Sequence, residues 1–186
     1  MADYTTLEND QIILGSGELY LALASETEGK TEAEIDALLH KVGAIESGAS
    51  IEYKPESKSI KPANRASINF KTNESATFKT GILNFIPENL SYVAPVEITT
   101  DATTLVKRVK VGGVASTPNV YLKFEHEEKD GSKLILRISN CVCTNGFKFD
   151  IDPENPTVID YEFISNTGMT NAGALTIDFV PAPATP

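Results

Sequence analysis

Gly43-Ala-Ile-Glu-Ser-Gly-Ala-Ser-Ile-Glu-Tyr-Lys-Pro-Glu56 decides the fold of this chain, together with the segment from Arg65 to Phe85 that answers it. Ile45, Ala49, Ile51 and Tyr53 fall on one face of an extended chain. Glu46, Gly48, Ser50, Glu52 and Lys54 fall on the other. That period is a strand with one dry and one wet side. Ala66, Ile68, Phe70 and Thr72 resume a dry face against Ser67, Asn69 and Lys71. Thr72-Asn-Glu-Ser75 reads as a turn, and Ala76 to Phe85 as the returning strand. Pro55 to Asn64 holds Pro55, Pro62, lysines and serines, with no apolar face to bury. It reads as a long exposed loop at the tip of a β-ribbon.

Upstream, Gln11-Ile-Ile-Leu14 and Glu18 to Ala24 are strand-like runs around Gly15-Ser-Gly17. Thr31 and Glu34 form a capping box, and Ile35, Leu38, Leu39 and Val42 make one apolar stripe that Gly43 ends. This predicts one amphipathic helix, with His40 near its C-terminal end where a cation suits the dipole. Pro87-Glu-Asn-Leu-Ser-Tyr92 reads as a helical turn with proline first. The rest is β. Leu105 to Val111 is a strand and the most basic spot, with Lys107, Arg108 and Lys110. Val120, Leu122, Phe124 and His126 alternate with polar residues, and Asp130-Gly131 marks a hairpin. Leu134, Leu136 and Ile138 lead to Cys143, Asn145-Gly146 marks a second hairpin, and Phe147, Phe149 and Ile151 follow. Ile159, Tyr161 and Phe163 alternate with Asp160 and Glu162, completing a four-strand meander, and Leu175 to Phe179 is a last strand.

The fold class is therefore mainly β: two packed antiparallel sheets, as a sandwich or partial barrel, with one flanking α-helix and a long β-hairpin loop. Residues 1–180 make a single domain with the long loop 55–64, and 181–186 a disordered tail. No run approaches the ~20 apolar residues of a membrane-spanning helix. Met1-Ala-Asp-Tyr4 lacks a secretory pattern, which leads to the expectation of a cytosolic protein with no membrane partner. The net charge of -10 argues against a grip on nucleic acid, which needs clustered cations.

No standard catalytic constellation emerges. Gly15-Ser-Gly17 lacks the helix of a dinucleotide loop, and Ser47-Gly48 lacks the preceding glycine of a nucleophile elbow. Cys141 and Cys143 stand two apart and far in sequence from His40 and His126, so buried thiols are the plainer reading than a metal or redox site. His126 alternates with strand partners and reads as a core histidine. The pairs Asp150/Asp152 and Asp160/Glu162 each sit on one strand face rather than across a cleft. Asp150 to Glu154 is oxygen-rich, but Pro153, Pro156 and the missing glycine weaken it as a calcium loop. The sequons at Asn73 and Asn89 mean little without a secretion signal. The expectation is a non-enzyme with no catalytic residue, cofactor or metal.

Four pieces carry a family resemblance: GSGELYL at 15–21, SGASIEYKPE at 47–56, ATFKTGI at 76–82 and TVIDYEF at 157–163. In this order they resemble the major tail tube proteins of tailed bacteriophages, above all those with long flexible tails. The resemblance implies a structural virion protein made in the host bacterial cytoplasm. It implies hexameric rings stacked into a hollow tail around a tape-measure protein, bounded by tail terminator and distal tail proteins, with DNA passing through without specific contact on ejection. It places Glu46, Ser50 and Glu52 as candidates facing the lumen. It makes Pro55, Glu56, Lys58, Lys61 and Asn64 candidates for an inter-ring loop that orders on stacking. The competing placement of the glutamates is outward, or in an inter-subunit ion pair with Lys71 or Lys79. A tube protein of a contractile injection machine would share the fold. A surface- or carbohydrate-binding β-sandwich module would need exposed aromatics.

Overall fold

The computed structural model describes residues 17–61, 66–83, 86–113, 116–148, 158–166 and 173–183, without the side chains of Ala44, Glu46, Ser47, Phe70, Lys71 and Thr72. The strands are β1 (Glu18–Leu23), β2 (His40–Ile60), β3 (Ile68–Ile82), β4 (Val96–Thr100), β5 (Lys107–Val111), β6 (Val120–Glu127), β7 (Lys133–Cys143), β8 (Ile159–Ser165) and β9 (Thr176–Val180). The helices are single turns: α1 (Ala24–Thr27), α2 (Glu32–Asp36) and α3 (Leu90–Val93), the last preceded by a 3-10 turn, Pro87–Asn89. The chain is mainly β, in two antiparallel sheets.

The larger sheet closes on itself. β1 pairs with β2, β2 with β3, β3 with β8, β8 with β7, β7 with β6, and β6 returns to β1. Closure removes the open edges that a flat sheet would leave unpaired. β9 adds to the first half of β7, and β4 with β5 makes the second sheet.

Alternation puts one side chain in two inside the ring. Leu19 faces Phe124, Leu21 faces Leu122, Phe78 faces Phe163 and Ile82 faces Ile159 across the ladders. All of these are buried, and Phe78 and Phe163 fully so. The Phe78 and Phe124 rings meet at 5.5 Å between centroids, tilted by 49°, an arrangement that aromatic pairs favour. Leu90, Val93 and Ala94 join this core from the helical turn, and Asn89 Nδ2 donates to Val42 O at 2.8 Å to hold that turn in place. At Gly17 an added Cβ would meet Glu125 O and the Phe124 ring at 2.6 Å, so only glycine lets β1 enter so close to β6.

One outer face is also covered. Tyr121 and Lys123 on β6 point away from the core, yet both are buried. The segment holding α1 and α2 crosses this face. Lys123 Nζ reaches Asp36 Oδ1 at 2.9 Å, and an Arg137 guanidinium nitrogen reaches Glu32 at 3.5 Å. The second sheet is tied to the turn before α3 by Lys107 with Glu88, braced internally by Lys110 with Glu97 across β4 and β5, and packed against the core through Val96 and Val109.

Several expectations need correction. The capping box is present, with Glu34 Oε2 accepting from Thr31 N at 2.8 Å and Thr31 Oγ1 at 2.7 Å. Yet the helix ends at Asp36, and His40 opens β2. A short helix must overcome its nucleation cost. Here His40 to Ala44 instead completes a ladder to Leu21 through Glu18, with Val42 buried inside the barrel and Gly43 in strand rather than at a helix end. His40 therefore stacks on Tyr92, 5.7 Å between ring centroids, instead of capping a helix. The supposed turn Thr72-Asn-Glu-Ser75 lies within β3, where the register slips opposite Glu56 and Ser57. Asn145-Gly146 follows the end of β7 and precedes Phe147 and Lys148, which lie outside any strand, so no two-residue hairpin turn forms there. Asn145 Oδ1 accepts from Glu162 N and its Nδ2 donates to Asp160 O, both at 3.0 Å, so the side chain continues the β7–β8 ladder. The strand read at Gln11-Leu14, residues 149–157 of the meander with Asp150 to Glu154, and the last three tail residues lie outside the described residues. Of the tail, Pro183 lies against Gly131, 3.3 Å from where a Cβ would stand.

Candidate functional site

The β2–β3 ribbon dominates the surface. Among the described residues, β2 has a second neighbour only as far as Ala44, opposite Glu18 at the start of β1, and β3 only from Thr77, opposite Ile164 near the end of β8. Ser165 Oγ, accepting from Ala76 N at 2.8 Å, is the last tie to the barrel. Beyond it, among the described residues, the ladder runs on from Lys54↔Ser75 to Ile60↔Ile68 as two strands alone. The stretch read as a loop from Pro55 is thus mostly strand. Its polar composition reflects exposure of both faces, not irregular backbone. Pro55 is tolerated where, among the described residues, β2 has no neighbour on its other edge.

Apolar groups go out with the ribbon. Ile45, Ala49 and Ile51 pack against the core, but Tyr53 on the same face is 47% exposed. Its hydroxyl donates to Glu74 Oε2 at 2.7 Å. Ile60 and Ile68, directly opposite each other, are both about half exposed. Of the inter-ring candidates, Pro55, Glu56 and Lys58 lie in β2, Lys61 follows it exposed, and Asn64 lies outside the described residues.

The lumen candidates are not alike. Ser50 and Glu52 are exposed, and Glu52 pairs with Lys54 two residues on, at 3.0 Å. The ladder skips from Ile45↔Ile82 to Ala49↔Thr80, so Glu46 stands in an irregularity that includes Gly48 at a φ of 80°. The simple alternation that put Glu46 beside Ser50 does not run through it. Within the subunit, Lys79 pairs with Glu162 at 2.9 Å.

Sequence reasoning missed two further surfaces. The β4–β5 hairpin leaves Leu105, Val106 and Val111 exposed, and β9 leaves Ile177, Phe179 and Val180 exposed beside its free edge. Both runs alternate like half-buried strands, so the pattern was visible but not the lack of a cover.

The reactive residues are internal. Cys141 and Cys143 are free and buried. Cys141 Sγ lies 3.4 Å from Val120 O, and Cys143 Sγ 3.3 Å from Asn145 Oδ1. His126 is buried with its Nε2 3.0 Å from Glu128 Oε1. Among the described residues no three His, Cys, Asp or Glu groups come together as a metal site, and no helix is long and apolar enough to cross a membrane.

Burial pushes the Cys141 thiol well above its ordinary range, with Cys143 adding to the effect. Burial likewise raises Cys143 and pushes the Tyr161 phenol up to about 12. The unfolded chain releases these protons first. Their contribution to stability is therefore full below the unfolded thiol value of about 8.5 and is lost as pH rises toward the folded values. The urea midpoint is expected to fall between neutral pH and about pH 10. Cys141→Ala should make that fall shallower, and an unchanged slope in the variant would contradict the assignment.

No protein-family model matches the chain, and no curated protein matches it.

Proposed function

We propose that this chain is a self-assembling structural subunit of a hollow tube, of the kind that the sequence pieces resemble in tailed-phage tails. The observation that carries the reading is the ribbon. An isolated two-stranded hairpin is marginal in water, yet this one extends well past its last barrel contact with Tyr53, Ile60 and Ile68 uncovered. A second copy laid against it would bury those groups and stabilise the ribbon. The barrel supplies a rigid body from which the ribbon projects. Fold alone does not imply this role; the argument rests on the exposed ribbon and the quoted sequence pieces.

In such a tube, Ser50 and Glu52 on the ribbon's polar face would line water, and repeated carboxylates would repel a passing polyanion. Glu46 stays a candidate through its place in β2. Stacked hexameric rings, a tape-measure protein inside, terminator and distal tail proteins at the ends, and DNA passage on ejection all belong to this proposal. So do a location in the virion tail and the lack of enzymatic activity. A tube of a contractile injection machine is the nearest alternative. A surface- or carbohydrate-binding module gains support from Phe179, an aromatic three-quarters exposed.

Sedimentation velocity at rising protein concentration tests the reading. The expected result is conversion of monomer into ring-sized and then much larger species. A monomer at every concentration, with a soluble glycan shifting its stability, would favour the binding module instead.

A further inference from the structure

The β4–β5 hairpin ends in a knob. Asp101 Oδ1 accepts from Thr103 N at 2.9 Å and Thr104 N at 2.8 Å, and Asp101 O accepts from Leu105 N at 2.9 Å. This bonded turn holds Leu105 at a φ of 57°, the one non-glycine residue with positive φ among the described residues. A leucine rarely adopts that conformation. Here it results in a side chain 76% exposed, beside Val106 at 58%. Arg108 follows and makes no ion pair among the described residues.

Elsewhere on the molecule lies a groove of about 950 Å³. Its apolar lining includes Leu23, Ile35, Pro118 and Tyr121, under the α1–α2 segment. Past Ile35 and Tyr121 it continues into a smaller recess of about 230 Å³. Three features of the groove match the knob. The lining surface is more apolar than polar, although Ser25, Thr27, Asn119, Ser139 and Asn166 also contribute to it. Its rim carries Glu28, without an ion pair among the described residues, while Glu32 at the smaller recess is paired with Arg137 at 3.5 Å. Asn140 Oδ1 is buried at the groove with no hydrogen-bond partner among the described residues, and so wants a donor.

We infer that the β4–β5 hairpin of one copy docks in this groove of the next copy. Leu105 and Val106 fill the apolar floor, Arg108 approaches Glu28 and Glu32, and a donor of the hairpin satisfies Asn140 Oδ1. The occupant is a second copy of this chain because the knob presents exposed Leu105 and Val106 beside Arg108, and the groove rim presents Glu28, with Arg108 and Glu28 each without an ion pair among the described residues. The contact is head-to-tail, so it propagates into a closed ring or an open filament. The inference deepens the self-assembly proposed above and rests on it.

The test uses two surface variants of the full chain. Leu105→Asp spoils the knob, and Ser139→Trp plugs the groove from an exposed position that lines both recesses. Circular dichroism should show both folded like the wild type. Each alone is expected to lose all species larger than monomer in sedimentation velocity. Mixed in equal amounts they should form dimers and nothing larger, since each supplies the half that the other lacks. Leu105→Asp assembling like wild type, or a mixture that stays monomeric, overturns the inference. If Leu105→Asp still forms hollow tubes, the docking fails while the tube reading survives. If wild type forms only chains or rings that the two variants abolish, with no hollow tube, the docking stands and the tube reading fails.

Discussion

Phe78→Ala is expected to lower the stability of the isolated subunit by about 3–5 kcal/mol, the usual cost of deleting a buried phenylalanine. Phe78 has no exposed surface. It sits on β3 opposite Phe163 of β8, and its ring tilts against Phe124 of β6. One side chain therefore links β3 to β6 through the interior of the closed ring. A cavity there cannot collapse easily, because the surrounding strands are held by ladders on both sides. Set against a typical domain stability of about 5–15 kcal/mol, the loss should leave a protein that unfolds at much lower urea concentration. Urea denaturation followed by circular dichroism measures it. A change below about 1 kcal/mol would mean that the ring is not closed around this residue as described.

The second large effect falls on assembly rather than folding. Joining Lys54 to Ser75 through a two-residue Asn-Gly turn removes the ribbon beyond its last core-bound pair, Tyr53↔Ala76. Asn-Gly suits the tight antiparallel connection this creates. The removed part contains Ile60 and Ile68, which contribute nothing to the core in the single subunit. Stability should stay within about 0.5 kcal/mol of the wild type, as for surface changes generally. Stacking into long tubes should be lost altogether. A shortened chain that forms tubes of normal length would show that the ribbon is dispensable, and a shortened chain that fails to fold would show that it belongs to the core.

These two expectations draw on parts of the sequence that were legible to different degrees. The barrel strands were plain. Ile159 to Phe163 alternate in the way that their burial follows, and so largely do Glu18 to Leu23, whereas Val120 to Phe124 are buried throughout because the α1–α2 segment covers the outer face of β6. Closure of the ring was not legible, because no local pattern states that β6 returns to β1. The helix from Thr31 was half right. Its cap is local chemistry, but whether His40 to Gly43 joins helix or sheet depends on β1, a partner distant in sequence.

The ribbon shows the same limit from the other side. Pro55, Lys58 and Lys61 announce exposure, and exposure was mistaken for irregular backbone. Only the register with Ile68 to Ser75 reveals a strand. The knob at Leu105 was hidden for a similar reason. A leucine beside valine implies burial by composition, and only the turn built on Asp101 shows it thrust outward. Of the lumen candidates, Ser50 and Glu52 lie in the regular part of the β2–β3 ladder, whereas Glu46 lies in the irregularity before Ala49.

The central claim is that this chain builds a hollow tube from copies of itself. Negative-stain electron microscopy of the purified protein at rising concentration tests it most directly. The account predicts rings in projection and long filaments with a stain-filled central channel. Dispersed single particles at every concentration, or filaments without a channel, would contradict it.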